Sequence, residues 1–172
     1  GVEIAAISTP QGRGGVAIIR ISGEQAIEIA DRLFDRSLQN KASHTVTYGF
    51  IIDPHTGKQV DEVLISVFRA PRTYTREDIV EISCHGGRCV TSMILQLVLA
   101  QGARLARAGE FTQRAFLNGR IDLTQAEAVM EIISAGGRQG AALASAALDG
   151  GLAKKIAGIQ ATLQSLYAHL SA

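Results

Sequence analysis

Four parts of the sequence carry residue types that could do chemistry. The first is Gly12-Arg13-Gly14-Gly15-Val16-Ala17, which matches the G-x-G-x-x-A dinucleotide fingerprint in form. That fingerprint works only when a helix opens at once behind it, because the helix amides hold the pyrophosphate. Here Val16-Ala17-Ile18-Ile19-Arg20-Ile21 follows, rich in isoleucine and without a helical period. A Rossmann site is therefore rejected. What remains is a tight connection between two strands, or a loop whose backbone approaches a ligand closely, as glycine permits. The second part is a pair: Arg20 between Ile19 and Ile21, and Glu81 between Val80 and Ile82. An acid and a base on two apolar strands either pair with each other or line a polar pocket on one sheet face. Partly buried, neither is stable without a partner.

The third part, His85-Gly86-Gly87, ends one predicted strand and opens a helix, where free amides attract anions. The glycines serve a tight strand-to-helix turn equally well. Cys84 and Cys89 flank this point, but neighbouring strand residues point to opposite sides, so no metal site is expected and both cysteines read as small core residues. The fourth part is the positive stretch holding Arg104, Arg107, Arg114 and Arg120, with Glu110 as its single acid. It is either a solvated rim or an edge for a carboxylate or phosphate. The sequence contains no G-x-x-x-x-G-K-[ST] loop, no H-E-x-x-H and no G-x-S-x-G, so no NTPase, zincin or serine-hydrolase site is expected in it.

The elements that must position these residues follow from periodicity. Strands are expected over 2–8, 16–21, 45–52, 60–68 and 79–84, with turn chemistry at Asp53-Pro54-His55-Thr56-Gly57. Ser22 and Gln25 have the spacing of a capping box for a helix to about Arg36, with Ile27, Ala30, Leu33 and Phe34 on one face. A second helix is expected from Gly87 to Leu99, its inner stripe being Val90, Ile94, Leu97 and Val98. Beyond residue 110 the chain contains no proline and turns helical: Thr124 and Glu127 suggest another capping box, and Leu123, Ala126, Met130 and Ile133 a stripe ending near Gly136-Gly137. Leu148, Leu152, Ile156, Ile159, Leu163, Leu166 and Leu170 then form an a/d-like seam that needs other helices to cover it.

Composition bounds the answer. The 172 residues include 17 Lys+Arg against 16 Asp+Glu, a net charge of +1 that excludes a generally basic nucleic-acid coat. Among the cations 13 are Arg and 4 Lys, the preference expected where planar donors meet carboxylates or phosphates. A mean hydropathy of +0.16, with no long apolar run, excludes a membrane span. The start, Gly1-Val2-Glu3-Ile4, lacks the marks of a secretory signal, and two cysteines are too few for a disulfide scaffold, so a reduced, cytoplasmic protein is expected.

Three strings carry a more specific message. Gly12 to Gly23 (ending Ile19-Arg20-Ile21-Ser22-Gly23), Tyr74 to Gly87 (holding Val80-Glu81-Ile82-Ser83-Cys84-His85-Gly86-Gly87), and Arg104 to Ala128 (holding Phe116-Leu117-Asn118-Gly119-Arg120-Ile121-Asp122-Leu123) closely resemble, in order and spacing, the N-terminal part of the MnmE (TrmE) family of tRNA-modifying GTPases. Asp149-Gly150-Gly151-Leu152 is similar to the start of that family's helical domain. The resemblance covers nearly the whole chain.

It implies an α+β fold, a mixed β-sheet with packed helices like the folate-binding fold of the glycine-cleavage aminomethyltransferases, followed by a partial all-α domain. The expected division is 1–118 for folate binding and homodimerisation and 119–172 for the first helices of the helical domain. Formyl-tetrahydrofolate is the implied ligand, with Arg20, Glu81 and Arg120 the implied contacts. They are expected to converge on one pocket although far apart in the chain. Glu81 is suited to the 2-amino group and ring N–H of the pterin, and the arginines to the formyl oxygen or the glutamate tail. GTP, Mg²⁺ and K⁺ belong, by the same resemblance, to an inserted G domain outside this chain, which should not hydrolyse GTP alone. The implied partners of the whole protein are the flavoprotein MnmG (GidA) and tRNA, whose wobble uridine is modified. Two positions depart from the family pattern: Arg120 stands where lysine is common, and Gln11 where a second proline is common. The alternatives are an aminomethyltransferase-like enzyme and a purely structural dimerisation module.

Overall fold

The computed structural model describes residues 1–9 and 15–135. The glycines of Gly12-Arg13-Gly14, the position of Gln11, the break at Gly136-Gly137 and the seam from Leu148 to Leu170 lie outside the described residues. Within them the order is β1 (Ile4–Ile7), β2 (Ala17–Ser22), α1 (Ala26–Arg32), β3 (Thr45–Ile52), β4 (Gln59–Phe68), β5 (Ile79–Cys84), α2 (Gly87–Ala100), β6 (Arg104–Leu105), α3 (Glu110–Leu117) and α4 (Leu123–Ala135). The chain divides into two compact units, one made of Gly1–Thr73 and Glu77–Leu105, the other of Tyr74–Arg76 and Ala106–Ala172.

The first unit is a six-stranded sheet in the order β3-β4-β5-β2-β1-β6. All neighbouring pairs are antiparallel except β1 with β6, so the sheet is mixed and the class is α+β. Side chains alternate between faces along each strand. The odd-numbered residues Ala5, Ile19, Ile21, Val63, Ile65 and Val67, with Val80, Ile82 and Cys84 of β5, are fully or almost fully buried in one core with Ile27, Ala30 and Leu33 of the α1 segment and Ile94 and Val98 of α2. The helical stripes predicted for both helices are the ones that pack. Burial pushes the Cys84 thiol up to about 12, with the nearby Asp61 charge adding to it, so Cys84 is an inert core residue. Cys89 is not: it is exposed in the first turn of α2, correcting the expectation that both cysteines are buried.

Two predicted helix starts are also corrected. Helix α1 begins at Ala26 and ends at Arg32, short of Arg36, and Ser22 does not cap it. Ser22 is the last residue of β2 and donates its hydroxyl to Glu77 Oε1 at 2.9 Å. The acceptor at the helix entrance is Glu3, whose Oε1 takes the Gln25 amide at 3.1 Å. In α4 the reciprocal cap lies two residues before the predicted Thr124–Glu127 box. The Asp122 amide donates to Gln125 Oε1 at 3.0 Å, and the Gln125 amide to Asp122 Oδ1 at 2.7 Å.

That shift leaves Glu127 with a different fate. It is completely buried in the second unit, and neither carboxylate oxygen has a hydrogen-bond partner. Loss of hydration raises its pKa. A raised folded-state pKa favours the protonated acid. Its contribution to stability is therefore intact below the ordinary carboxylate range and is lost as pH rises through the raised value. Glu127→Leu should accordingly stabilise the second unit by about 1–3 kcal/mol at neutral pH and by clearly less near pH 4. Paired thermal melts of wild type and variant across that range check it; an equal difference at both ends would contradict it.

Candidate functional site

The open face of the sheet, opposite α1 and α2, carries the even-numbered residues of β2, β3 and β4 and the odd-numbered residues of β5. Register aligns one row across it: Ala6 with Arg20, Arg20 with Glu81, Glu81 with Ser66, and Ser66 with Val46. Arg20 and Glu81 are thus direct cross-strand neighbours, and they pair. Arg20 Nε and Nη2 donate to the same oxygen, Glu81 Oε2, at 2.9 and 2.8 Å. The two side chains retain 29% and 22% of their exposure, which places them between a surface ion pair and a buried one. Glu81 Oε1 takes no donor from the described residues. Of the two possibilities open in the sequence, pairing is thus realised, and half of the carboxylate stays available for a further donor.

With Oε2 already accepting two N–H groups, Oε1 is the carboxylate oxygen open to a further donor. One end of this face is bounded by the segment ahead of β5, where the Ser22 hydroxyl meets Glu77 and the Gly23 amide donates to Asp78 O at 3.0 Å.

Arg120 belongs to the second unit, at the end of α3. Sequence reasoning missed this helix and strand β6, treating Arg104–Arg120 only as a positive stretch. The available signal was Asn118-Gly119, a helix stop. Gly119 takes the left-handed conformation at φ 78°. Its amide donates to Phe116 O at 3.0 Å and the Arg120 amide to Ala115 O at 2.8 Å, the two bonds of a Schellman motif. Asn118 secures the turn further: its side-chain amide donates to Thr75 O at 2.7 Å, and Arg76 Nη1 donates to Asn118 O at 3.2 Å. Arg120 is exposed directly behind this cap, its backbone fixed and its side chain reaching solvent.

The other three arginines are divided between the units. Arg104 lies in β6 of the first, where Nη1 donates to Leu105 O, while Arg107 and Arg114 lie in the second. The Arg107 amide donates to Glu110 Oε1 at 2.9 Å, and Arg114 Nη2 stands 4.0 Å from Glu110 Oε2. The one acid of the stretch is therefore engaged by its neighbours. At His85-Gly86-Gly87 the helix entrance already holds an anion of the protein's own. Asp61 Oδ2 accepts the amides of His85 and Gly86 at 2.8 and 3.0 Å, so the tight-turn reading holds there. Beside it Tyr48, Glu62, Val63, Leu64 and His85 line an open depression of about 440 Å³. Its polar groups are mutually engaged: Tyr48 donates its hydroxyl to Glu62 Oε1 at 2.6 Å, a bond that raises the tyrosine pKa. Among the described residues no cluster of three or more His, Cys, Asp or Glu could hold a metal ion, and no helix is long and apolar enough to cross a membrane.

Comparison with known proteins adds to this geometry. Residues 3–120 match the family described as the N-terminus of the GTP-binding protein TrmE. Relatives named tRNA modification GTPase MnmE include those of Geobacillus kaustophilus and Geobacillus thermodenitrificans, 55% and 54% identical, each alignment covering 97% of this chain and 37% of the relative. That of Levilactobacillus brevis is 58% identical over 89% of the chain and 33% of its own length. The chain therefore spans about a third of the length of these relatives.

The cap before Arg120 yields a prediction. Gly119→Ala forces a side chain into the left-handed region and should destabilise the second unit by about 1–2 kcal/mol. Chemical denaturation of the variant reads this directly; an unchanged midpoint would show that the αL cap contributes nothing.

Proposed function

Because the chain belongs to the TrmE N-terminal family, we propose that it is the tetrahydrofolate-binding and homodimerising part of a GTPase that modifies tRNA. Residues 1–118 carry the folate-binding and dimerisation role, with a fold of the aminomethyltransferase folate-binding kind, and 119–172 begin the helical domain. Formyl-tetrahydrofolate is the ligand, and Arg20, Glu81 and Arg120 are its contacts. The observation that supports this reading best is the half-exposed Arg20–Glu81 pair on the open sheet face, with Glu81 Oε1 unclaimed. A reduced pterin presents parallel N–H donors along one edge and carries its negative charge at the opposite end, on the glutamate tail. An acceptor on the sheet suits the first. A solvent-reaching cation suits the second, and Arg120 has that character. Arginine in place of lysine keeps the charge there and offers a carboxylate two parallel donors rather than one.

Dimerisation has its own support. Val46, Tyr48 and Leu64 leave 60%, 48% and 40% of their surface exposed on the same open face, with Tyr48 and Leu64 paired across β3 and β4. Exposed apolar side chains grouped in this way suit a protein contact. GTP hydrolysis, with Mg²⁺ and K⁺, belongs to a G domain outside this chain, which by itself is inactive as a GTPase; MnmG and tRNA are partners of the whole protein. Its proposed setting is the cytoplasm.

Calorimetry with 5-formyltetrahydrofolate tests the folate reading. Wild type should bind, and Glu81→Ala should lose about 2–4 kcal/mol of affinity because the pterin donors and Arg20 lose a shared acceptor. Arg120→Ala should lose less, its charge being screened by solvent. No heat of binding to the wild type, or full affinity in Glu81→Ala, would refute the assignment. Light scattering on the same samples should give the mass of a dimer; a monomer would refute the second half of the proposal.

A further inference from the structure

Glu81 cannot satisfy a pterin edge alone while Arg20 stays in place. The edge formed by the 2-amino group and the adjacent ring N–H presents two donors side by side, the arrangement that a carboxylate meets with both oxygens. Here Oε2 is committed to Arg20 Nε and Nη2. Displacing Arg20 from Glu81 would cost the ion pair and separate the guanidinium from its carboxylate. A second acceptor next to Oε1 would serve both residues at once.

Register provides one. Ser66 of β4 is the direct cross-strand partner of Glu81, on the side opposite Arg20, so the row reads Arg20, Glu81, Ser66. Directly opposed residues of an antiparallel pair point to the same face with Cβ atoms roughly 4.5–5.5 Å apart. Ser66 is half-buried, and its hydroxyl makes no hydrogen bond within the described part of the molecule. Ser83 shares the face, but it stands one row away between Ile18 and Leu64, beside apolar rather than charged neighbours.

Resting on the folate reading above, we infer that Ser66 is a further ligand-binding residue, whose hydroxyl oxygen and Glu81 Oε1 together accept the two donors of the pterin edge while Arg20 keeps Oε2. Arg20 in this arrangement holds the Glu81 carboxylate in orientation. Ser66 supplies the acceptor that the ion pair has taken out of use. The hydroxyl hydrogen remains free to donate to a ring acceptor or to water, so no polar group of the row is left unmatched.

Calorimetry of this chain with 5-formyltetrahydrofolate, run on wild type, Glu81→Ala, Ser66→Ala and Ser66→Thr, tests the inference. Ser66→Ala should weaken binding about three- to tenfold, the loss of one neutral hydrogen bond, and Ser66→Thr should restore most of it. The melting temperature should be the same in both serine variants. Ser66→Ala binding as tightly as wild type, while Glu81→Ala loses affinity, overturns the role of Ser66 and leaves the folate reading standing. Equal losses in the alanine and threonine variants with lowered melting temperatures would show a structural role instead, and also overturn it. Absence of binding to the wild type would remove the folate reading itself and Ser66 with it.

Discussion

The Arg20–Glu81 pair is the constraint around which the open sheet face is arranged. Both residues sit inside apolar strands, on a face that is neither core nor free surface, and each would be costly there without the other. Their meeting requires that β2 and β5 pair in one register. A slip by a single residue would turn the isoleucines outward and send the charges into the core beneath α1 and α2. The hydrophobic core and the polar pair therefore enforce the same alignment. The buried odd-numbered residues of β2 and their β5 partners select it from one side, and the salt bridge agrees from the other.

The pair also defines the chemistry of its surroundings. Two arginine donors converge on one oxygen, so the carboxylate is oriented but only half used. That asymmetry leaves one carboxylate oxygen open to a further donor. A fork-to-fork arrangement would have consumed both oxygens and left the row with nothing to offer. Elsewhere the same accounting closes internally. Asp61 is spent on the amides opening α2, Glu110 on the turn before α3, and Glu62 on Tyr48. Glu127 is the exception in the second unit, a buried carboxyl that no described group meets.

Much of this was legible in the amino-acid pattern, and the parts that were not have physical reasons. Strands β3 and β5 and the start of α2 fall where alternation and glycine punctuation predict them, because each buries a continuous apolar set. Helix α3 escaped notice because it is short and half polar, and it buries Thr112 and Gln113 as well as Ala115. No apolar stripe announces such a helix; only its glycine stop does. Strand β6 is two residues long, held by the sheet edge rather than by any propensity of its own. The two misplaced caps share a cause. Ser22 and Thr124 have the right spacing, yet capping depends on where the backbone turns, and tertiary partners decide that: Glu3 for α1, and the Asp122–Gln125 exchange for α4. For the candidate site, spacing could nominate Arg20 and Glu81 but not which Glu81 oxygen takes both Arg20 donors, and only register sets Ser66 beside Glu81.

In the folate complex proposed here, the ligand uses the unclaimed half of Glu81 while the ion pair persists. A crystal structure of this chain with 5-formyltetrahydrofolate is the decisive measurement. It should show the pterin edge on Glu81 Oε1 and the Ser66 hydroxyl, with Arg20 Nε and Nη2 still on Oε2. A pterin gripping both Glu81 oxygens with Arg20 displaced, or a folate bound away from the open sheet face, would contradict it.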